Sequence, residues 1–100
     1  MFAVIYTWSI KPGSEDAFVG AWHRATVAIT KRCSSYGSRL HRADDGTFVG
    51  YARWPNEQAR AACFGDGPPD PQAAAEMEES VEQRLPERRL EIIDDLLAEP

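Results

Sequence analysis

A chain of 100 residues, 43% hydrophobic and 27% charged, holds one domain's worth of material, because halves of that size could not bury a core without metals or disulfides. The longest apolar run, Phe2 to Tyr6, is far short of the roughly 20 residues a membrane helix needs, so a transmembrane reading is excluded. A formal charge of −5 argues against nucleic acid, whose phosphates reward clustered Lys and Arg.

From Phe2 to Ile10 the residues alternate. Phe2, Val4, Tyr6, Trp8 and Ile10 lie on one face and Ala3, Ile5, Thr7 and Ser9 on the other, the period of a strand. Lys11, Pro12 and Gly13 break it. Ser14, followed by Glu15 and Asp16, supplies an N-cap hydroxyl and first-turn negative charge for a helix. Phe18, Trp22, Ala25, Ile29 and Cys33 then gather on one helical stripe, predicting a helix to about Ser35, with Gly37 beyond it as a left-handed cap.

A strand from Ser38 to Arg42 follows, and the Asp44-Asp45-Gly46 turn leads to a returning strand from Phe48 to Trp54, in which Gly50 signals a bulge or a close approach. Asn56 caps a short helix to about Phe64. The stretch from Gly65 to Pro71 reads as a loop. Asp70, with Pro71 at the first helical position, starts a helix expected to last until Pro86. The segment from Arg88 to Leu97 fits both strand and helical spacing; the expectation is a strand at 88–94.

The element order is therefore β-α-β-β-α-β with an extra short helix: an α+β, ferredoxin-like fold in a single domain over residues 1–100. Such a sheet carries helices on one face only, so homodimerisation is expected to cover the other. Charge is uneven, with 8 Lys/Arg against 5 Asp/Glu in residues 1–65 and 3 against 11 in residues 66–100. A solvated acidic helix face accounts for this. Nothing resembles a secretory signal, and cytoplasm is the default localisation. Cys33 and Cys63 lack metal-ligand spacing and read as small buried hydrophobes.

The sequence holds no phosphate loop, nucleophile elbow or metal-ligand cluster. His23 and His41 are the only side chains that titrate near neutrality without perturbation. Tyr6, Trp8, Trp22 and Trp54 fall where they can face the space between sheet and helices. Two readings are open: aromatic core packing, or a pocket for a flat apolar ligand with one or two polar handles.

The run Tyr51-Ala52-Arg53-Trp54-Pro55-Asn56-Glu57-Gln58-Ala59, with Phe64-Gly65 after it, resembles the strand-to-helix junction of the antibiotic biosynthesis monooxygenase (ABM) family, closest in pattern to its actinorhodin-type anthrone oxygenases. The opening strand, the Lys11-Pro12-Gly13 turn, the aromatic-striped helix and the Asp45-Gly46 hairpin extend the likeness over nearly the whole chain. It implies a dimeric α+β barrel whose C-terminal strand often reaches across to the partner. It also implies an oxygenase that uses no cofactor, neither metal nor flavin, on a phenolic or quinol-like substrate. Of the polar residues that hold substrate in that branch, Trp54 matches the Trp, whereas Gly50 stands at the Asn, Arg60 at the Tyr and a position near Met77 at the Arg. In the heme-degrading branch the corresponding places fall on Tyr6, Cys63 and the His-free stretch from Gln72 to Gln83, which disfavours heme degradation.

The candidate substrate pocket is thus Trp54, Tyr6, Trp22, Arg60 and His23, with Arg60 favouring an anion if it points inward. Three functions compete: a cofactor-independent monooxygenase on a small aromatic substrate, a non-catalytic small-ligand-binding or structural dimer, and other chemistry such as an isomerase or decarboxylase using His23 or His41. An open aromatic cavity of a few hundred Å³ would keep the first two; a packed interior would reject both.

Overall fold

The computed structural model describes residues 1–98. Five strands and three helices run β1 (Phe2–Ile10), α1 (Glu15–Arg32), β2 (Ser38–Arg42), β3 (Phe48–Trp54), α2 (Glu57–Phe64), α3 (Pro71–Ser80), β4 (Val81–Arg84) and β5 (Arg88–Glu91). All strand pairs are antiparallel, in the order β2-β3-β1-β4, with β5 also beside β1. This is the ferredoxin-like α+β arrangement.

The alternation of β1 and β3 sets the layers. Tyr6 pairs across from Gly50 and Trp8 from Phe48, so the even-numbered residues of both strands share the face toward the helices. Trp8, Ile10, Phe18 and Phe48 form the centre of that layer, with Phe18 edge to face against both Trp8 and Phe48. On the other face Ile5, Thr7 and Val49 remain half-buried.

The hairpin turn follows from local chemistry. Gly46 takes φ +88°, its N–H donates to the Ala43 carbonyl, and Asp45 accepts from the Thr47 amide at 2.9 Å. Those two bonds from Thr47, amide and hydroxyl, hold the Asp45 carboxyl below its ordinary value. Asn56 and Asp70 cap α2 and α3 by accepting from Ala59 and Ala73 at 2.8 and 3.0 Å.

Six expectations need correction. Ser14 makes no capping bond; the Glu15 carboxylate instead accepts from Gly13 at 3.0 Å. Helix α1 stops at Arg32, because Cys33 turns to extended backbone and bonds to Cys63 with a Cα separation of 5.5 Å. The cysteines are therefore a disulfide and not small hydrophobes. Gly37, at φ +95°, serves the loop into β2 and not the helix end. Helix α3 ends at Ser80 because the following residues fill the open edge of β1, with Ile10 opposite Val81 and Trp8 opposite Arg84 around a bulge at Ser9/Ile10. That ladder overrides the helical preference of Glu82, Gln83 and Arg84.

The final strand is shorter than 88–94, and the chain beyond it folds back so that Ile92 donates to the Met1 carbonyl and Arg53 pairs with Asp95. Ile93 and Leu96 are about nine-tenths exposed there, at 91% and 88%. No helix among the described residues is long and apolar enough to cross a membrane.

Candidate active site

A cavity of about 350 Å³ lies between the even-numbered face of the sheet and the three helices. Its floor exists because position 50 is glycine. A β-carbon there would stand 3.1 Å from two ring atoms of Trp8, so the missing side chain lets the indole lie flat over β3. Gly50 thus marks a close approach, and the β1–β3 register runs through it without a bulge. Tyr6 stacks on Trp8 at 5.7 Å with 14° between the rings, which carries the aromatic surface toward Arg60 of α2. Trp22 and Ile29 of α1, Phe64 of α2 and Met77 of α3 complete the apolar walls.

The polar end is built by α2. Asn56 starts that helix immediately after β3, and the side chain of Arg60, one turn in, points inward and is only 16% exposed. Its Nε and Nη2 donate to the Tyr6 hydroxyl oxygen at 3.2 and 3.0 Å, and Nη2 also meets both oxygens of Glu87 at 3.1 Å. Burial raises the Tyr6 pKa above its ordinary value, and the nearby Arg60 charge reduces that rise without cancelling it. Burial works against the charge on Arg60, but Tyr6 and Glu87 outweigh it and lift the guanidinium above its ordinary range. A neutral phenol and a charged guanidinium are the result.

The Tyr6 oxygen already accepts two bonds, while its own O–H has no acceptor among the described residues. Neither does Arg60 Nη1. The indole N–H groups of Trp8 and Trp54 are also buried without acceptors. Those two N–H groups are shut off from the cavity, so the unused donors on its wall are those of Tyr6 and Arg60, which suit a flat aromatic ligand bearing an oxygen.

The structure places Tyr6, Trp22, Trp54 and Arg60 around this cavity. Trp54 is only 2% exposed and rests edge to face on Phe64, so it supports the wall as core does. His23 is not there: it sits exposed on the outside of α1, beside separate shallow depressions. His41 is exposed on β2, with Nδ1 2.9 Å from the Val49 carbonyl oxygen. Glu87 is the residue that sequence reasoning misses. It follows Pro86 in the turn between two strands of which one was itself unforeseen, and no local pattern singles it out. Among the described residues no group of three His, Cys, Asp or Glu side chains is placed to hold a metal ion.

Solved structures share this architecture over nearly the full chain. Rv0793 from Mycobacterium tuberculosis superposes with a TM-score of 0.78 at 18% identity, covering 96% of this chain and 98% of its own. A crystal structure of an antibiotic biosynthesis monooxygenase gives 0.76 at 16% identity, covering 94% and 100%. The fold is that of the ABM domains. SnoaB from Streptomyces nogalater, a cofactor-independent oxygenase, matches at a TM-score of 0.77 and 13% identity, with 95% of each chain covered. No family model matches the sequence, and no curated protein matches it.

Proposed function

We propose that this chain is an ABM-type, cofactor-independent monooxygenase acting on a small aromatic substrate with an acidic phenol or enol, of anthrone or quinol type. The observation that carries the reading is the end wall of the cavity, where the Tyr6 hydroxyl and the Arg60 guanidinium offer unused donors beside a stacked aromatic floor. Donors fixed in position favour an oxyanion over its neutral form. An electron-rich ring ionised in this way can pass an electron to dioxygen. Combination at carbon and loss of water then convert a CH₂ to a carbonyl, one oxygen atom entering the product and the other leaving as water. The shared fold with SnoaB supports the same reading.

The reading includes a homodimer. The half-buried Ile5, Thr7 and Val49 on the far face of the sheet, with the exposed Ile93, Leu96 and Leu97 beyond β5, offer the apolar surface such a pair would cover.

Oxygen consumption with no cofactor added, across a panel of anthrones and quinols, tests the activity. Wild-type protein is expected to exceed the spontaneous rate, and Tyr6→Phe and Arg60→Met each to lose on the order of 10²-fold. Trp54→Ala is the wrong probe, since emptying so buried a site costs about 3–5 kcal/mol of stability. A flat trace with substrates that quench tryptophan fluorescence would refute turnover and leave a binding module.

A further inference from the structure

An aromatic carbon or hydroxyl acid must lose a proton before its ring can reduce oxygen, and few groups on the cavity can take one. His23 and His41 lie outside it. Tyr6 is held in its neutral form and is a donor. Glu78 reaches the rim from α3, but its side chain is 60% exposed and paired with Arg84. Glu87 is less exposed, at 34%, and shares the Nη2 nitrogen of Arg60 with the Tyr6 hydroxyl.

We propose that Glu87 is the catalytic base of this cavity, a role that rests on the monooxygenase reading above. The proton of the bound phenol or anthrone passes to a Glu87 oxygen, and the electron pair stays on the substrate as phenolate or enolate. Arg60 moves its hydrogen bonds from Glu87 to the new oxyanion, and the Tyr6 O–H supplies a second donor to it. The charge inside the cavity is the same before and after: a guanidinium with one carboxylate becomes a guanidinium with one substrate anion. No additional charge has to be desolvated, which is the largest cost such a step would otherwise meet. The groups facing Glu87 are Arg60, Arg89 through its Nε at 3.4 Å, Tyr6, and Arg84 across the β4–β5 turn. Arg89 is in turn paired with Glu57 at 3.0 Å, which offsets its charge, so Glu87 does not face an uncompensated cation when it takes the proton and Arg60 turns to the substrate.

The test binds 1,8-dihydroxyanthrone without oxygen to wild type and Glu87→Gln, reading the anionic absorption band and the protons released to a weakly buffered indicator. In wild type the band is expected with close to no proton released, because Glu87 retains it. In Glu87→Gln one proton is expected to appear in solution for each anion formed, and the band to develop about 10²-fold more slowly. A wild type that releases a full proton per anion, or that binds the probe without the anionic band, overturns the proposal. So does a variant indistinguishable from wild type. Admitting oxygen afterwards tests the wider reading separately: a bound anion that consumes none above the spontaneous rate refutes the monooxygenase while Glu87 keeps its role as proton acceptor.

Discussion

Breaking the bridge between Cys33 and Cys63 should have a large and calculable effect. The two residues are 30 apart, and closing a loop of that length removes unfolded-state entropy worth about 3.6 kcal/mol at 25 °C. For a domain of this size that is a substantial part of a total near 5–15 kcal/mol. Helix α2 depends on the bridge more than the sheet does, because no residue of that helix is fully buried and Cys63 sits one turn beyond Arg60. Urea unfolding of the oxidised protein, the protein with excess dithiothreitol and the Cys33→Ser/Cys63→Ser variant gives the measurement. With an m value of about 1.5 kcal/mol/M the midpoint should fall by about 2.4 M in both bridge-free forms, and the variant should ignore the reductant. Equal midpoints in oxidised and reduced samples, with the bridge verified by mass, would refute the loop-entropy argument for this chain. Disulfides persist in oxidising compartments and are rare in the cytosol, so the bridge pulls against the cytoplasmic expectation.

Gly50→Ala places a methyl 3.1 Å from the buried Trp8 ring, and a loss of about 1–3 kcal/mol with an altered tryptophan emission is expected in thermal melts. Asp70→Ala removes the side chain that accepts from Ala73 and should cost about 1 kcal/mol by the same method. Tyr6 ionises later in the folded chain than in the unfolded one; its contribution is complete below the ordinary value of 10.0 and is lost as pH rises from there through the folded value. Absorbance titration at alkaline pH should show a tyrosine ionising above that ordinary value in wild type and missing in Tyr6→Phe. Sedimentation at micromolar concentration should give a particle near twice 11.2 kDa, and a monomer would refute the dimer.

Local rules carried a good part of this structure. The alternation of Phe2 to Ile10, the Asp45-Gly46 turn and the caps at Asn56 and Asp70 depend on dihedral preferences and hydrogen bonds within a few residues, so they are written where they act. The aromatic positions Tyr6, Trp22 and Trp54 were legible for the same reason, since strand and helix periods determine which way they face. His23 was misplaced because its position one residue from Trp22 turns it about 100° around the helix and off the cavity.

The rest was decided by partners distant in the chain. Helix α3 gives way at Ser80 because β1 has an unpaired edge beside it, a fact absent from the local sequence. Cys33 meets Cys63, 30 residues on, only where the fold brings the ends of α1 and α2 together. Arg60 turns inward because Tyr6 and Glu87, 54 residues before it and 27 after, converge on its guanidinium. One sequence therefore determined by itself the elements up to α3 and the apolar layer, through interactions that are short in sequence. The chemistry at the end of the cavity required tertiary structure, because a charge can be held inside only where its counter-charges and hydrogen-bond partners are brought together.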